Sequence, residues 1–185
     1  MRLFAFFVEI LPLVLFFIGY EWGGLFVAAS LSSGAGMLML LHARITQKRV
    51  AFFPIFTVVL SAIFTLIAIG TGAETFIKIQ PTVFNGLFSI VLLAGVMRGV
   101  AVMKYFFGAQ FSLDAMTWMT LSFRWGIFFG FLAIANELAW RNLDSTSWVW
   151  VKTFIFAPLS GLFMLAQLPV TLRGRLPHSG EDREP

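Results

Sequence analysis

Long uninterrupted apolar runs constrain this chain more than any other feature. Six are legible, at approximately Leu3–Ile18, Gly23–Leu41, Val50–Ile69, Phe76–Met97, Leu121–Trp140 and Trp148–Val170. Crossing a hydrocarbon core of ~30 Å at ~1.5 Å per residue takes ~20 helical residues, and five of the runs meet that length. The first is short and contains Glu9 and Pro12. It either spans a tilted or thinned bilayer or dips in and returns. A cleavable signal peptide is the third reading, because Arg2 precedes the apolar stretch. Residues Gly19 to Gly24 offer no A-x-A cleavage site, so the segment is expected to stay attached.

Composition explains why these runs cannot be soluble core. Hydrophobic residues make up 59% of the 185 and charged residues 12%, against roughly 45–50% and 25% in soluble domains. A chain this short cannot hide so much apolar surface from water. The Phe-, Val- and Ile-rich segments have strand propensity, but lipid requires an open chain to satisfy its backbone groups within helices. The predicted fold is an all-α integral membrane protein, a bundle of five to six transmembrane helices with a short interfacial cytoplasmic helix. Residues 1–172 form a single transmembrane domain, and 173–185, rich in Pro, Gly and mixed charge, a disordered cytoplasmic tail. The interfacial helix is placed in Gly99–Ser112, interrupted by Lys104 and Gly108, with Ser112 as N-cap and Asp114 in the first turn of the helix that follows.

The net charge of +4 is no nucleic-acid signature, because the charges fall between runs instead of along one face. Counting Lys and Arg in alternate connections puts ten of the 13 on one side and Lys78, Arg141 and Lys152 on the other. The ten-charge side, which includes the C-terminus, is therefore expected to be cytoplasmic. Tryptophans agree: Trp22, Trp140, Trp148 and Trp150 fall near outer ends, and Trp118 and Trp125 near an inner end.

Catalytic and metal motifs are lacking. The chain has no cysteine, which excludes disulfides and zinc–thiolate sites. Its two histidines, His42 and His178, form no paired metal motif, and His42 reads as an interfacial neighbour of Arg44. No nucleophile elbow, P-loop or calcium loop is present. No catalytic residue, cofactor site or metal site is assigned.

Polar residues within or beside spans are the candidates, because charge there is expensive. Glu9 reads as a proton-coupled or substrate-binding carboxylate, or as a group fixing helix packing. Arg98 and Arg124 read as snorkelling anchors at the cytoplasmic rim. Lys78 stands near the outer start of the fourth run. Asn136 and Glu137 lie near the outer end of the fifth, at a depth similar to Lys152 in the sixth. An ion pair between Glu137 and Lys152 is expected, with Arg141, four residues on, as the competing partner of Glu137. Structural roles are preferred to transport for this set. Small residues at Gly95/Gly99, Gly126/Gly130 and Ala157/Gly161 permit close helix approach, within one chain by preference or in a homo-oligomer.

Several separated motifs together resemble the intracellular septation protein A family of inner membrane-spanning proteins. They are Leu11-Pro12-Leu13 with Phe16-Phe17 and Tyr20, Thr75-Phe76-Ile77-Lys78 with Pro81-Thr82, Trp118, Leu121, Trp125 and Phe128-Phe129, Asn136, and Trp148-Val149 with Lys152. Trp150 and Gln80 depart from the pattern, where a polar residue and a lysine are common. The resemblance implies a bacterial inner-membrane protein with a role in envelope maintenance and septation or elongation, acting through other envelope and division proteins, with no known cofactor and no established catalytic residues. The leading expectation is thus a non-enzymatic component working through protein or lipid contacts. A small transporter or lipid flippase is the alternative, although residues 1–70 and 76–170 show no convincing internal similarity. A polar-lined cleft reaching the midplane near Glu9 would favour transport, and a dry packed bundle scaffolding.

Overall fold

The structure is a computed structural model that describes residues 2–47, 52–108 and 110–176, with the side chains of 11–45, 55–108 and 110–176. It is all-helical apart from a single bridge between Leu113 and Arg175. Helix α1 (Arg2–Gln47) is broken at Gly23 and Gly24, where Gly24 takes φ 75°, a left-handed angle that glycine adopts without steric cost. The chain reverses there. A Cβ on Gly19 would stand 2.9 Å from the Cα of Ala28, whereas a continuous helix separates such positions by ~13 Å. α1 is therefore two antiparallel arms, residues 2–22 and 25–47, each long enough (~30 Å) to cross a bilayer core.

α2 (Phe52–Thr71) and α3 (Thr75–Met97) follow, joined by a turn in which Gly72 has φ 67°. α4 (Val102–Phe107) is a six-residue helix at the Arg-rich end of the bundle. Its Met103 is buried, with the backbone N–H donating to Ser122 Oγ at 3.1 Å, while Tyr105 is exposed. This matches an element lying on the bundle's end and not crossing it. α5 (Ala115–Asn142) is capped by Asp114, whose carboxylate accepts from Thr117 N at 2.8 Å and Thr117 Oγ1 at 2.7 Å. Those bonds, the backbone one foremost, hold the Asp114 carboxyl below the usual carboxylate range. The cap is thus Asp114 and not Ser112, whose carbonyl instead accepts from Leu176 N at 2.9 Å.

The last membrane segment is composite: α6 (Ser145–Val151), a π-helical turn Lys152–Phe156, α7 (Ala157–Ala166) and α8 (Leu168–Arg173). Pro158 explains the wide turn. Proline cannot donate to the carbonyl of Phe154 and its ring crowds it, and the helix responds by widening, with Ala157 N donating to Lys152 O. Beyond α8 the chain folds back on α5: Asp114 N donates to Gly174 O at 2.9 Å. Residues 173–176 of the expected tail are thus bonded to the bundle; residues 177–185 lie outside the described ones.

Lipid-facing surface is abundant, as membrane solvation requires: Leu38, Leu66, Ile90, Ile134 and Leu162 are all largely exposed. Inside, one buried cluster gathers Phe16, Leu25, Ala28, Ile77, Trp148 and Val149 at the charge-poor end. A second gathers Leu92, Met103, Leu113, Trp118 and Leu121 at the Arg-rich end. Trp148 and Trp118 therefore are not boundary anchors; they are core, 0% and 2% exposed. Trp22, 82% exposed beside the Gly23–Gly24 turn, keeps the anchoring position.

Candidate functional site

Asn136 organises the charge-poor half of the bundle. It is 1% exposed, and its amide Nδ2 donates to Lys78 O and to Thr82 Oγ1, each at 2.9 Å. Its Oδ1 accepts from Trp148 Nε1 at 3.0 Å. One side chain thus ties α5 to α3 and to α6. Nearer the end of the bundle, Lys78 Nζ donates to Ser145 Oγ at 2.7 Å and lies 3.2 Å from Glu74 Oε2. Ser145 Oγ donates in turn to Glu74 Oε2 at 2.8 Å, and Tyr20 Oη bonds Thr146 Oγ1 at 2.8 Å. These bonds connect the first arm of α1, α3, α5 and α6.

Lys152 opens the π-helical turn, about two helical turns (~10 Å) from the start of α6. Its Nζ lies 3.6 Å from the centroid of Phe16 and 5.0 Å from that of Trp148, a cation–π arrangement worth ~2 kcal/mol when desolvated. Among the described residues it has no carboxylate partner. Lys152 lines two neighbouring clefts. One, of about 410 Å³, is bordered by Pro12, Ser33, Ser61, Gln80 and Asn85. The other, of about 250 Å³, is walled by Leu13, Phe128, Phe129, Leu132 and Phe156. Pro81 and Asn85 border both. Thr153, next to Lys152, has a buried Oγ1 with no hydrogen-bond partner among the described residues.

The expected Glu137–Lys152 pair does not form. Glu137 Oε1 accepts from Arg141 Nε and Oε2 from Trp140 Nε1 at 2.8 Å. The reason is angular: consecutive helix residues are turned by ~100°, so with Asn136 facing Trp148, Glu137 faces its own helix's last turn. A double-variant cycle of Glu137→Lys and Lys152→Glu is accordingly expected to be additive in thermal stability; recovery in the double variant would mean that the two are coupled after all. Arg98 is the exposed C-cap of α3. Arg124 is exposed and reaches Gln167 Oε1 at 3.3 Å across to α7 and α8. The side chain of Glu9 lies outside the described residues; its helix position is one turn before Leu13.

The geometry brings Lys78, Asn136 and, one helix away, Lys152 into one half of the bundle and leaves Arg98 and Arg124 apart. Thr82, Glu74, Ser145 and Trp148 enter as partners that single-residue reading passes over. The Glu74/Lys78 spacing of four was a visible signal for one of these bonds. Asn85, a polar residue inside an apolar run, was a signal for the cleft.

The sequence model of the family described as intracellular septation protein A matches residues 4–176. The chain belongs to that family. It is similar to inner membrane-spanning protein YciB of Mesorhizobium japonicum, 37% identical over 166 residues covering 88% of this chain and 74% of the relative. The protein of that name from Rhizobium meliloti is 33% identical, covering 91% and 88%, and that from Agrobacterium fabrum 30% identical, covering 98% and 97%. No solved structure matches. The relatives are named as inner membrane-spanning proteins, and this chain has helices long and apolar enough to cross a membrane.

Proposed function

We propose that this protein is a non-enzymatic, multi-pass component of the bacterial inner membrane that supports septation and envelope maintenance by contacting other envelope proteins or lipids. The observation that carries the reading is the family match over nearly the whole chain, to a family named for septation. The bonds of Asn136 and Lys78 support it, because they tie helices of the charge-poor half into a fixed unit suited to presenting surfaces. The test is complementation. In a bacterium deleted for its own copy, the full chain restores septum placement and resistance to osmotic stress. Failure to do so at normal membrane levels overturns the reading.

One observation favours the alternative, passage of a small amphiphile: the cleft at Lys152 bordered by Pro12 and Pro81 is polar on one side. Uptake or flipping by proteoliposomes that depends on this chain would replace the scaffolding reading.

The C-terminus faces the cytoplasm in this arrangement, from the ten-to-three charge asymmetry. A reporter active only outside the cytoplasm is expected to be silent when fused at the C-terminus and active in the 70–73 or 143–147 turns. Activity at the C-terminus would invert the topology.

A further inference from the structure

We propose that the divided cleft around Lys152 is a binding site for a phosphodiester lipid carrying one net negative charge, with its phosphate on the Lys152 ammonium. The site is independent of the septation role and holds for a scaffold or a transporter alike.

Three observations converge on this ligand. The first is charge. Lys152 is an intramembrane cation whose face toward Phe16 and Trp148 is occupied by rings, and no oxygen of the described residues accepts its N–H groups. An ammonium has three donors, and a ring face engages the charge without satisfying the other N–H groups. An intramembrane charge left this way is costly, and an anion supplied from outside the chain removes that cost.

The second is the division of the cleft. The larger limb is bordered by Ser33, Ser61, Gln80 and Asn85. Ser33 is bonded to Ser61 and Thr65, and Asn85 gives one amide hydrogen to Pro81 O. The Gln80 amide and the second Asn85 N–H are therefore the groups placed to donate to an anion's oxygens. The smaller limb is walled by leucine and phenylalanine, which suits hydrocarbon. Lys152, Pro81 and Asn85 line both limbs. A free phosphate ion would leave the apolar limb unused, and a neutral hydrocarbon would leave the ammonium unpaired. An amphiphile with a single negative charge at its head fills both.

The third is the backbone. The π-helical turn that begins at Lys152 shifts the helix phase there, and such turns recur at functional sites. The adjacent Thr153 Oγ1 is buried without a hydrogen-bond partner among the described residues, so the turn that Pro158 imposes leaves a second polar group beside Lys152 open to a ligand oxygen.

The test uses the full chain, delipidated in detergent, with thermal unfolding as readout during titration with phosphatidylglycerol, phosphatidylethanolamine or inorganic phosphate. Phosphatidylglycerol is expected to stabilise at a concentration roughly tenfold lower than phosphatidylethanolamine, whose own ammonium offsets the phosphate charge and repels Lys152. Lys152→Met should erase that preference and Lys152→Arg should keep most of it. Equal effects of the two lipids, or a preference that survives Lys152→Met, overturns the proposal. Stabilisation by inorganic phosphate as strong as by phosphatidylglycerol overturns the lipid as the source. Should Lys152→Met fail to fold, a photoreactive phosphatidylglycerol on the wild-type chain decides. Labelling of residues 80–85 or 152–160 supports the site, and labelling only elsewhere overturns it.

Discussion

A chain with leucine at both Gly126 and Gly130 is expected to be recovered largely unfolded from the membrane. These glycines let α5 lie directly on α3, the most extensive helix pair of the fold. A Cβ at Gly126 would stand 2.8 Å from Leu93 Cδ2 and 3.3 Å from Leu92 Cβ, and one at Gly130 2.9 Å from Ser89 Oγ. Replacing glycine raises helix propensity by ~1 kcal/mol per site, a gain that in a single alanine variant offsets the cost of rotating Leu93 or Ser89. Leucine needs much more space on both turns, and overpacking costs ~1–3 kcal/mol per site. The steric term wins in the double variant, by up to ~4 kcal/mol. Size-exclusion recovery and thermal unfolding in detergent give the measurement. Gly161→Leu is the control, since a Cβ there meets nothing within 4 Å; it should keep or slightly raise stability. A double variant as stable as wild type would mean that α3 and α5 are not packed in this way.

The second large effect is expected at Asn136. Leucine there fits the volume but orphans Trp148 Nε1 and removes the donor shared by Lys78 O and Thr82 Oγ1. A buried group left unpaired costs ~1–3 kcal/mol in water-soluble cores, whereas bonds between membrane helices average nearer ~0.6 kcal/mol. With three groups affected and no solvent at the site, ~2–4 kcal/mol is the expected loss. Trp148→Phe removes only one of the three bonds and keeps the ring against Phe16, so it should cost clearly less. Thermal unfolding of the two variants side by side checks the order. An Asn136→Leu protein no less stable than Trp148→Phe would place the stabilisation in the aromatic packing.

Much of this fold can be read from apolar run length alone, because lipid permits few other solutions. The helices, the interfacial element and the polar candidates Lys78, Asn136 and Lys152 are legible as expensive residues in apolar segments. Facing is not. Whether Asn136 or Glu137 turns toward α6 depends on rotation by a single residue, and the widened turn at 152–156 resets that rotation for the last segment. Trp148 shows the same limit. Its position near a helix end suits a boundary anchor, yet its buried partner Asn136 draws the indole inward. Gly126 and Gly130 are visible as a packing motif, but nothing in the sequence says that Leu92, Leu93 and Ser89 are what they meet.

The widened turn has a consequence for how chain length can vary in this segment. A π-helical turn holds one residue more than the α-helical turn it replaces, so it behaves as an insertion absorbed without a loop. Deleting one residue between 152 and 156 would let the segment run as a regular helix of nearly the same length. Everything on one side of the deletion would then be rotated by ~100° against the other. Trp148 could no longer meet Asn136 while Phe163 keeps its stack on Phe128. The segment would still be apolar and long enough to insert, and insertion alone would not reveal the damage. For this last helix, the count of residues carries information that hydropathy does not.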